Sequence, residues 1–190
     1  MPSRSQILPL LWIGDEYSAR VPEVNDFGHV LNVTREVEMC SGLSEGVTFK
    51  RFPIFDFGGE KQQEAMFNFF DDACSLIDQA VASEKPVLVH CVEGKQRSCA
   101  VVAAYLIHAM GLTATQAKEY IVQKRPEAFD CGTHVNFGPA LDRWEKTSKL
   151  RSVSASATDG KENNTPWGSS SKSAKLKKKA VTPKNAERKR

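Results

Sequence analysis

Nowhere in its 190 residues does the chain hold the roughly 20 consecutive apolar side chains that a membrane-spanning helix requires, so no membrane span is expected. The opening Met-Pro-Ser-Arg-Ser-Gln also lacks a secretory pattern, because the apolar stretch from Gln6 to Ile13 is short and no small-residue cleavage site follows it. Paired cysteine motifs are absent too. The five cysteines (Cys40, Cys74, Cys91, Cys99 and Cys131) are odd in number and none stands in Cys-x-x-Cys spacing, which argues against a secreted disulfide framework and against a zinc site. No segment repeats. Free thiols in a reducing compartment, cytoplasmic or nuclear, are therefore expected, with no metal and no other cofactor.

Acidic side chains are scarce in one place only. Residues 1–146 carry 14 Lys+Arg against 20 Asp+Glu, a net −6, whereas residues 147–190 carry 12 against 3, a net +9. The overall +3 thus averages an acidic body and a basic tail. Nucleic acid is not expected as a partner of the body, and any such argument concerns the tail alone. After Lys149 the chain turns to Ser, Ala, Lys and Asn, with too little apolar surface to offset its conformational entropy. The expected organisation is one folded domain over residues 1–147 and a disordered basic tail over 148–190.

Within the body, short β-type runs alternate with helical ones. Leu8 to Ile13 reads as an apolar edge strand, with Gly14 and Asp15 turning into a short polar helix. His29 to Thr34 and Val47 to Phe52 read as strands. From Glu60 to Ser83, Ala65, Met66, Phe69, Phe70, Ala73, Leu76, Ile77, Ala80 and Val81 recur at spacings of three and four, one apolar stripe of a helix. Pro86 to His90 is wholly apolar before its histidine, the mark of a strand covered on both faces. Ser98 to Met110 is apolar nearly all round, a buried helix ended by Gly111. Thr113 or Thr115 caps the next helix, which stops near Arg125-Pro126. A last helix, about Val135 to Leu150, carries Phe137, Leu141 and Trp144. The fold class is α/β: a central mixed, partly parallel sheet of about five strands flanked by helices.

The segment His90-Cys91-Val92-Glu93-Gly94-Lys95-Gln96-Arg97-Ser98 joins the buried strand to the buried helix, where an α/β sheet presents a ligand crevice. A loop this tight turns successive backbone N–H groups inward, and Gly94 permits a positive φ. Residues 92–97 are thereby expected to bind an anion, closed by the following helix N-terminus, with the Arg97 fork gripping two phosphate oxygens. Thiols in such a field lose their proton far more readily than free ones, so Cys91 is expected as a thiolate poised for in-line attack on phosphorus. Ser98 follows, with a hydroxyl able to stabilise the sulfur as a leaving group. The departing oxygen also needs a proton from a carboxylic acid on another loop. Asp56, in Pro53-Ile-Phe-Asp-Phe-Gly-Gly59, follows a strand directly; Asp15 and Glu60 compete for the role.

The pattern His-Cys-x-x-Gly-x-x-Arg-Ser, with an aspartate on an upstream strand-end loop, resembles the dual-specificity branch of the protein tyrosine phosphatase superfamily, in its small type without a kinase-docking domain. Leu11-Trp-Ile-Gly14, His29-Val-Leu-Asn32, Val87-Leu-Val-His-Cys91, Ala104-Tyr-Leu106 and Arg125-Pro126 all fall where that family has similar segments, so the match covers about residues 7–146. The resemblance implies a phosphocysteine at Cys91, transition-state binding by Arg97, Asp56 as general acid and then base, no metal, and the tyrosine phosphatase fold. It also implies a shallow pocket admitting phosphotyrosine as well as phosphoserine and phosphothreonine.

The expected partner is accordingly a phosphoprotein substrate. Lys95 favours a phosphoinositide or an RNA 5′ phosphate instead, but Glu93 opposes such polyanions and the two nearly cancel. A third reading is a phosphoprotein-binding module with vestigial catalysis, against which the intact Cys91, Arg97, Ser98 and Asp56 argue. His90 is expected to fix the loop through ring hydrogen bonds. Cys99 could pair with an oxidised Cys91, although it, Cys40, Cys74 and Cys131 read more simply as packing residues. In the tail, Lys172, Lys175, Lys177, Lys178, Lys179, Lys184, Arg188, Lys189 and Arg190 suggest an import receptor or another acidic partner, hence the nucleus. Lys161-Glu-Asn163 resembles a degradation signal, and Thr165 and Thr182, each before proline, suit proline-directed kinases.

Overall fold

The computed structural model describes residues 3–20, 22–38, 43–57, 59–130 and 137–158. Cys40, Gly58, Cys131 and every tail feature beyond residue 158 named above lie outside these residues. Eleven elements are ordered as β1 (Arg4–Leu8), β2 (Leu11–Gly14), two 3-10 turns (Tyr17–Ala19 and Pro22–Asp26), β3 (His29–Asn32), β4 (Thr48–Arg51), α1 (Glu60–Ala82), β5 (Val87–His90), α2 (Arg97–Met110), α3 (Ala114–Lys124) and α4 (Gly138–Thr158).

The five strands form one sheet in the order β1-β2-β5-β3-β4. β1 and β2 are antiparallel, while β2, β5, β3 and β4 run parallel. The mixed sheet is therefore as expected. The apolar run Leu8 to Ile13 is not one edge strand, however: Pro9 and Leu10 form a turn, β1 takes the edge, and β2 lies inside. A proline cannot donate to a ladder, and the alternation of Arg4 and Gln6 outward with Ile7 inward suits an edge. All four residues of β5 are buried, and the central strand places its carboxyl end, with those of β2 and β3, on one side of the sheet.

α2 is buried from Arg97 through Ile107 and ends as its sequence dictates, with Gly111 at φ +65 returning its N–H to the Ile107 carbonyl at 3.1 Å. α1 and α4 pack against it: Trp144 is buried, touches Phe70 edge-on and donates its indole N–H to the Ala104 carbonyl at 3.0 Å. Thr113 is the residue that caps α3, in a reciprocal pair with Gln116. α4 runs to Thr158, eleven residues past the domain boundary expected at 147/148. No glycine or proline interrupts the chain there before Gly160, and Arg151 holds Asp71 of α1 through both terminal guanidinium nitrogens. A bent pair, α2 and α3, is the one combination long and apolar enough by composition to cross a membrane among the described residues; no single helix is.

Candidate active site

Cys91 follows the last residue of β5 and is 2% exposed at the floor of the loop that leads into α2. Gly94 turns there with φ +69. A side chain at that position would bring its Cβ within 2.6 Å of Arg125 Nη2 and 2.8 Å of the Gly14 carbonyl oxygen, so no other residue fits. The Gly94 N–H donates to Cys91 Sγ at 3.2 Å, and Ser98 Oγ lies 3.3 Å from the same sulfur. Both contacts favour negative charge on sulfur, and the amino end of α2 adds its dipole.

Arg97 opens α2 and is 1% exposed. Its Nη1 donates to Glu36 Oε2 at 2.6 Å and to the Ile54 carbonyl at 3.1 Å, and its Nη2 donates to Asp56 Oδ2 at 3.2 Å. Nε is a buried donor without an acceptor among the described residues. A buried unmatched donor costs about 1–3 kcal/mol, a penalty that an oxyanion in the loop would remove. The structure thus brings together Cys91, Ser98, Arg97 and Asp56, whose carboxylate stays half exposed on its own loop.

The competitors for the acid role separate from it. Asp15 is 7% exposed and takes up the Ser18 N–H and hydroxyl at 2.8 and 2.7 Å and the Ser3 N–H at 3.0 Å, a structural cap. Glu60 begins α1 as an exposed residue. Gly59 sits at the head of that helix with φ +136.

Of the remaining loop residues, the Val92 carbonyl accepts from the Glu16 N–H at 3.0 Å. Gln96 is buried at the head of α2. Glu93 and Lys95 form a solvent-facing ion pair at 3.1 Å. Cys99 is buried and donates its thiol to the Gly94 carbonyl at 3.3 Å, a satisfied core position. Cys74 is likewise packed in the core, and burial, with Asp78 and Asp71 nearby, pushes its thiol well above the ordinary range. It is inert beside Cys91.

Glu36 escaped the sequence reading. The loop after β3 is built by its own side chains: Asn32 Oδ1 takes the Thr34 N–H at 2.9 Å and the Thr34 hydroxyl at 2.7 Å, Asn32 Nδ2 donates to the Val37 carbonyl at 2.9 Å, and Thr34 Oγ1 takes the Val37 N–H at 3.0 Å. Arg51 of β4 ties the Thr34 carbonyl from outside at 3.1 Å. Held in this way, Glu36 meets Arg97. Burial raises its carboxyl, but the Arg97 hydrogen bond, backbone hydrogen bonds at Glu36 and Arg35 and the Arg97 charge together outweigh that and hold it below the usual range. The available signal was Asn-x-Thr directly after a buried strand, a side-chain turn motif.

His90 also departs from expectation. Its ring is fully buried and, among the described residues, neither nitrogen meets a partner within normal hydrogen-bond geometry, so the ring hydrogen bonds expected of it are not seen and it packs as a neutral group. Burial lowers the imidazole from 6.5 to about 4. Between those values the unfolded chain binds a proton that folded His90 refuses, so the stability carried by the neutral ring is present above this window and is lost as pH falls through it. The gap corresponds to on the order of 3 kcal/mol. Urea unfolding at pH 7 and pH 4 is expected to show that extra loss in the wild type relative to His90→Asn; parallel losses would refute it.

The family described as "Dual specificity phosphatase, catalytic domain" matches residues 11–146. Human dual specificity protein phosphatase 7 is 31% identical over 150 residues, covering 77% of this chain and 34% of that protein. The protein-tyrosine-phosphatase IBR5 of Arabidopsis thaliana is 32% identical over 123 residues, covering 64% and 44%. The chain therefore spans between a third and a half of the length of these relatives. Among solved structures, human DUSP28 superposes with a TM-score of 0.65 at 25% identity, over 77% of this chain and 95% of that one.

Proposed function

Because the chain belongs to the dual specificity phosphatase catalytic-domain family, we propose that it hydrolyses phosphotyrosine and phosphoserine or phosphothreonine on proteins through a phosphocysteine at Cys91. The reading rests on one convergence: a buried sulfur in contact with Gly94 N–H and Ser98 Oγ, beside a buried arginine that also reaches Asp56.

In the first step Cys91 Sγ attacks phosphorus in line, an S–P bond forms and the P–O bond to the substrate breaks. Arg97 and the loop N–H groups hold the three equatorial oxygens, over which the charge of the metaphosphate-like group is spread in the transition state. Asp56 gives its proton to the departing oxygen. For hydrolysis the same carboxylate takes a proton from the attacking water, and the S–P bond breaks while Ser98 Oγ stabilises the returning thiolate. Asp56 must leave Arg97 Nη2 for this exchange, which couples the acid loop to the arrival of the phosphate.

Replacing Asp56 by Asn is expected to lower kcat on a phosphotyrosine peptide by about 10²–10³-fold. The loss should be smaller on nitrophenyl phosphate, whose leaving group needs less protonation. The decline of rate with rising pH that a general acid imposes should also vanish. An unchanged pH–rate profile would assign the proton to another group.

The Glu93–Lys95 pair supports a protein substrate, since the lysine charge that would attract a polyanionic head group is met by its own neighbour. Steady-state kinetics on phosphotyrosine and phosphothreonine peptides, phosphoinositide vesicles and 5′-triphosphorylated RNA decide the substrate class. Phosphopeptides are expected to give the highest kcat/KM. A preference for the lipid or the RNA would overturn the protein assignment and keep the chemistry, whereas tight phosphopeptide binding without turnover would indicate a vestigial module.

A further inference from the structure

Four consecutive carbonyls of the anion loop point away from the sulfur, and each has a named partner. The Val92 oxygen takes the Glu16 N–H at 3.0 Å, and the Lys95 oxygen takes the Phe129 N–H at 2.7 Å. Between them, one side chain serves two: Arg125 donates through Nη2 to the Glu93 oxygen at 3.4 Å and through Nε to the Gly94 oxygen at 2.7 Å. A trans peptide is planar, with its C=O and the following N–H directed oppositely. Pinning the carbonyls of residues 92–95 outward therefore turns the N–H groups of 93–96 inward. The Gly94 N–H on Cys91 Sγ is one consequence already visible.

Arg125 is a costly residue to place here. It is 1% exposed, and its fork is filled by the two carbonyls together with Ser5 Oγ and Ser3 Oγ, each at 3.2 Å, and a Glu127 carboxylate at 3.3 Å. The following Pro126 disfavours helical conformation, so α3 stops at Arg125, which is extended at φ −139, ψ 85. Four residues later Phe129 adopts φ +62, an outlier for a bulky side chain, and it is this residue whose N–H caps the Lys95 carbonyl. Buried charge and backbone strain are both spent on the outer side of one loop.

We propose that Arg125 is a positioning residue that holds the phosphate loop in its anion-binding form, with the 125–129 segment as its buttress. The proposal rests on the phosphatase reading of that loop. Without the guanidinium, the Glu93 carbonyl loses its outer hydrogen bond and the Gly94 carbonyl keeps only the Cys99 thiol at 3.3 Å, so both peptides are freer to rotate, withdrawing N–H groups from phosphate and from the Cys91 thiolate. Its charge also sits one peptide behind the cup, where it favours any anion bound there.

The test uses the full chain with Arg125→Gln, which removes the charge, and Arg125→Lys, which keeps charge and bulk but cannot span two carbonyls as a fork. Three quantities are read on the folded protein: inhibition by inorganic phosphate, kcat and KM on phenyl phosphate, and the pH at half-maximal iodoacetate alkylation of Cys91. For Arg125→Gln, phosphate affinity and kcat/KM are expected to fall by about 10- to 100-fold, and half-alkylation to move up by about one pH unit, a tenfold change in thiolate. Arg125→Lys should lie between, and it carries the test if the Gln variant does not fold. A role in stability alone would lower the melting temperature and leave phosphate affinity and half-alkylation within twofold of wild type, which overturns the proposal. Failure of the functional reading looks different: wild type itself would not turn over phenyl phosphate.

Discussion

Replacing Cys91 by Ser is expected to abolish turnover of phenyl phosphate, with a loss of at least about 10⁴-fold in kcat, while phosphate and phosphopeptide still bind. The two changes come from the same substitution for opposite reasons. Gly94 N–H and Ser98 Oγ, at 3.2 and 3.3 Å, stabilise a sulfur anion, but a hydroxyl binds its proton too tightly to ionise on such help alone. A serine nucleophile needs a base within hydrogen-bond reach. The nearest imidazole in sequence, His90, is buried with neither ring nitrogen in normal hydrogen-bond geometry among the described residues and accepts a proton only near pH 4 for its own part. No activation is left, and 10⁴-fold corresponds to roughly 5 kcal/mol of lost transition-state stabilisation. Binding responds in the other direction. Removing the thiolate takes one negative charge from beneath a phosphate dianion while leaving Arg97 and the loop amides in place, so inorganic phosphate should bind as tightly as before or more tightly. Residual turnover within tenfold of wild type would move the nucleophile elsewhere; lost phosphate binding would mean that the serine had disturbed the loop.

The parts of the site that could be read from the chain are those carried by contiguous residues. From His90 to Ser98, strand, glycine turn and helix start follow directly from local residue types, and the structure places Cys91, Gly94, Arg97 and Ser98 accordingly. Asp56 was legible as a carboxylate on the loop after a strand, and the family resemblance chose it over Asp15; the structure adds the physical reason, since Asp15 caps the turn at Ser18. Glu36 and Arg125 contribute through space, 61 and 31 positions from their partners Arg97 and Gly94, and no periodicity encodes such contacts. The same distinction explains the fold. Helices α1 and α2 announce themselves by apolar spacing and a terminal glycine, whereas β1 is half polar and acquires its strand character only by pairing with β2. The extension of α4 past residue 147 depends on Arg151 finding Asp71 across the helix pair.

Arg97→Lys is expected to cost about 10²–10³-fold in kcat/KM, more in kcat than in KM, although it keeps the charge. The guanidinium has three separate tasks at once. Nη1 is fixed by Glu36 at 2.6 Å and by the Ile54 carbonyl at 3.1 Å, Nη2 carries Asp56 at 3.2 Å, and Nε stands buried without an acceptor among the described residues. Glu36 and Ile54 hold the plane of the fork, and that fixed plane lets the remaining donors meet two phosphate oxygens together. A lysine ammonium is a single point with rotatable donors. If it stays with Glu36 it leaves the phosphate; if it turns to the phosphate it abandons a carboxylate that Arg97 now holds below its ordinary range. Either choice weakens the transition state more than the ground state, because the flattened array of three equatorial oxygens that the oriented donors fit exists only there. Glu36→Gln separates the tasks, since it keeps a hydrogen-bond acceptor for Nη1 and removes the charge. Its loss should be smaller than that of Arg97→Lys and should fall mainly on kcat. Steady-state kinetics of both variants on phenyl phosphate decide the matter: a lysine enzyme with wild-type kcat would show that charge alone suffices and that the fork geometry is incidental.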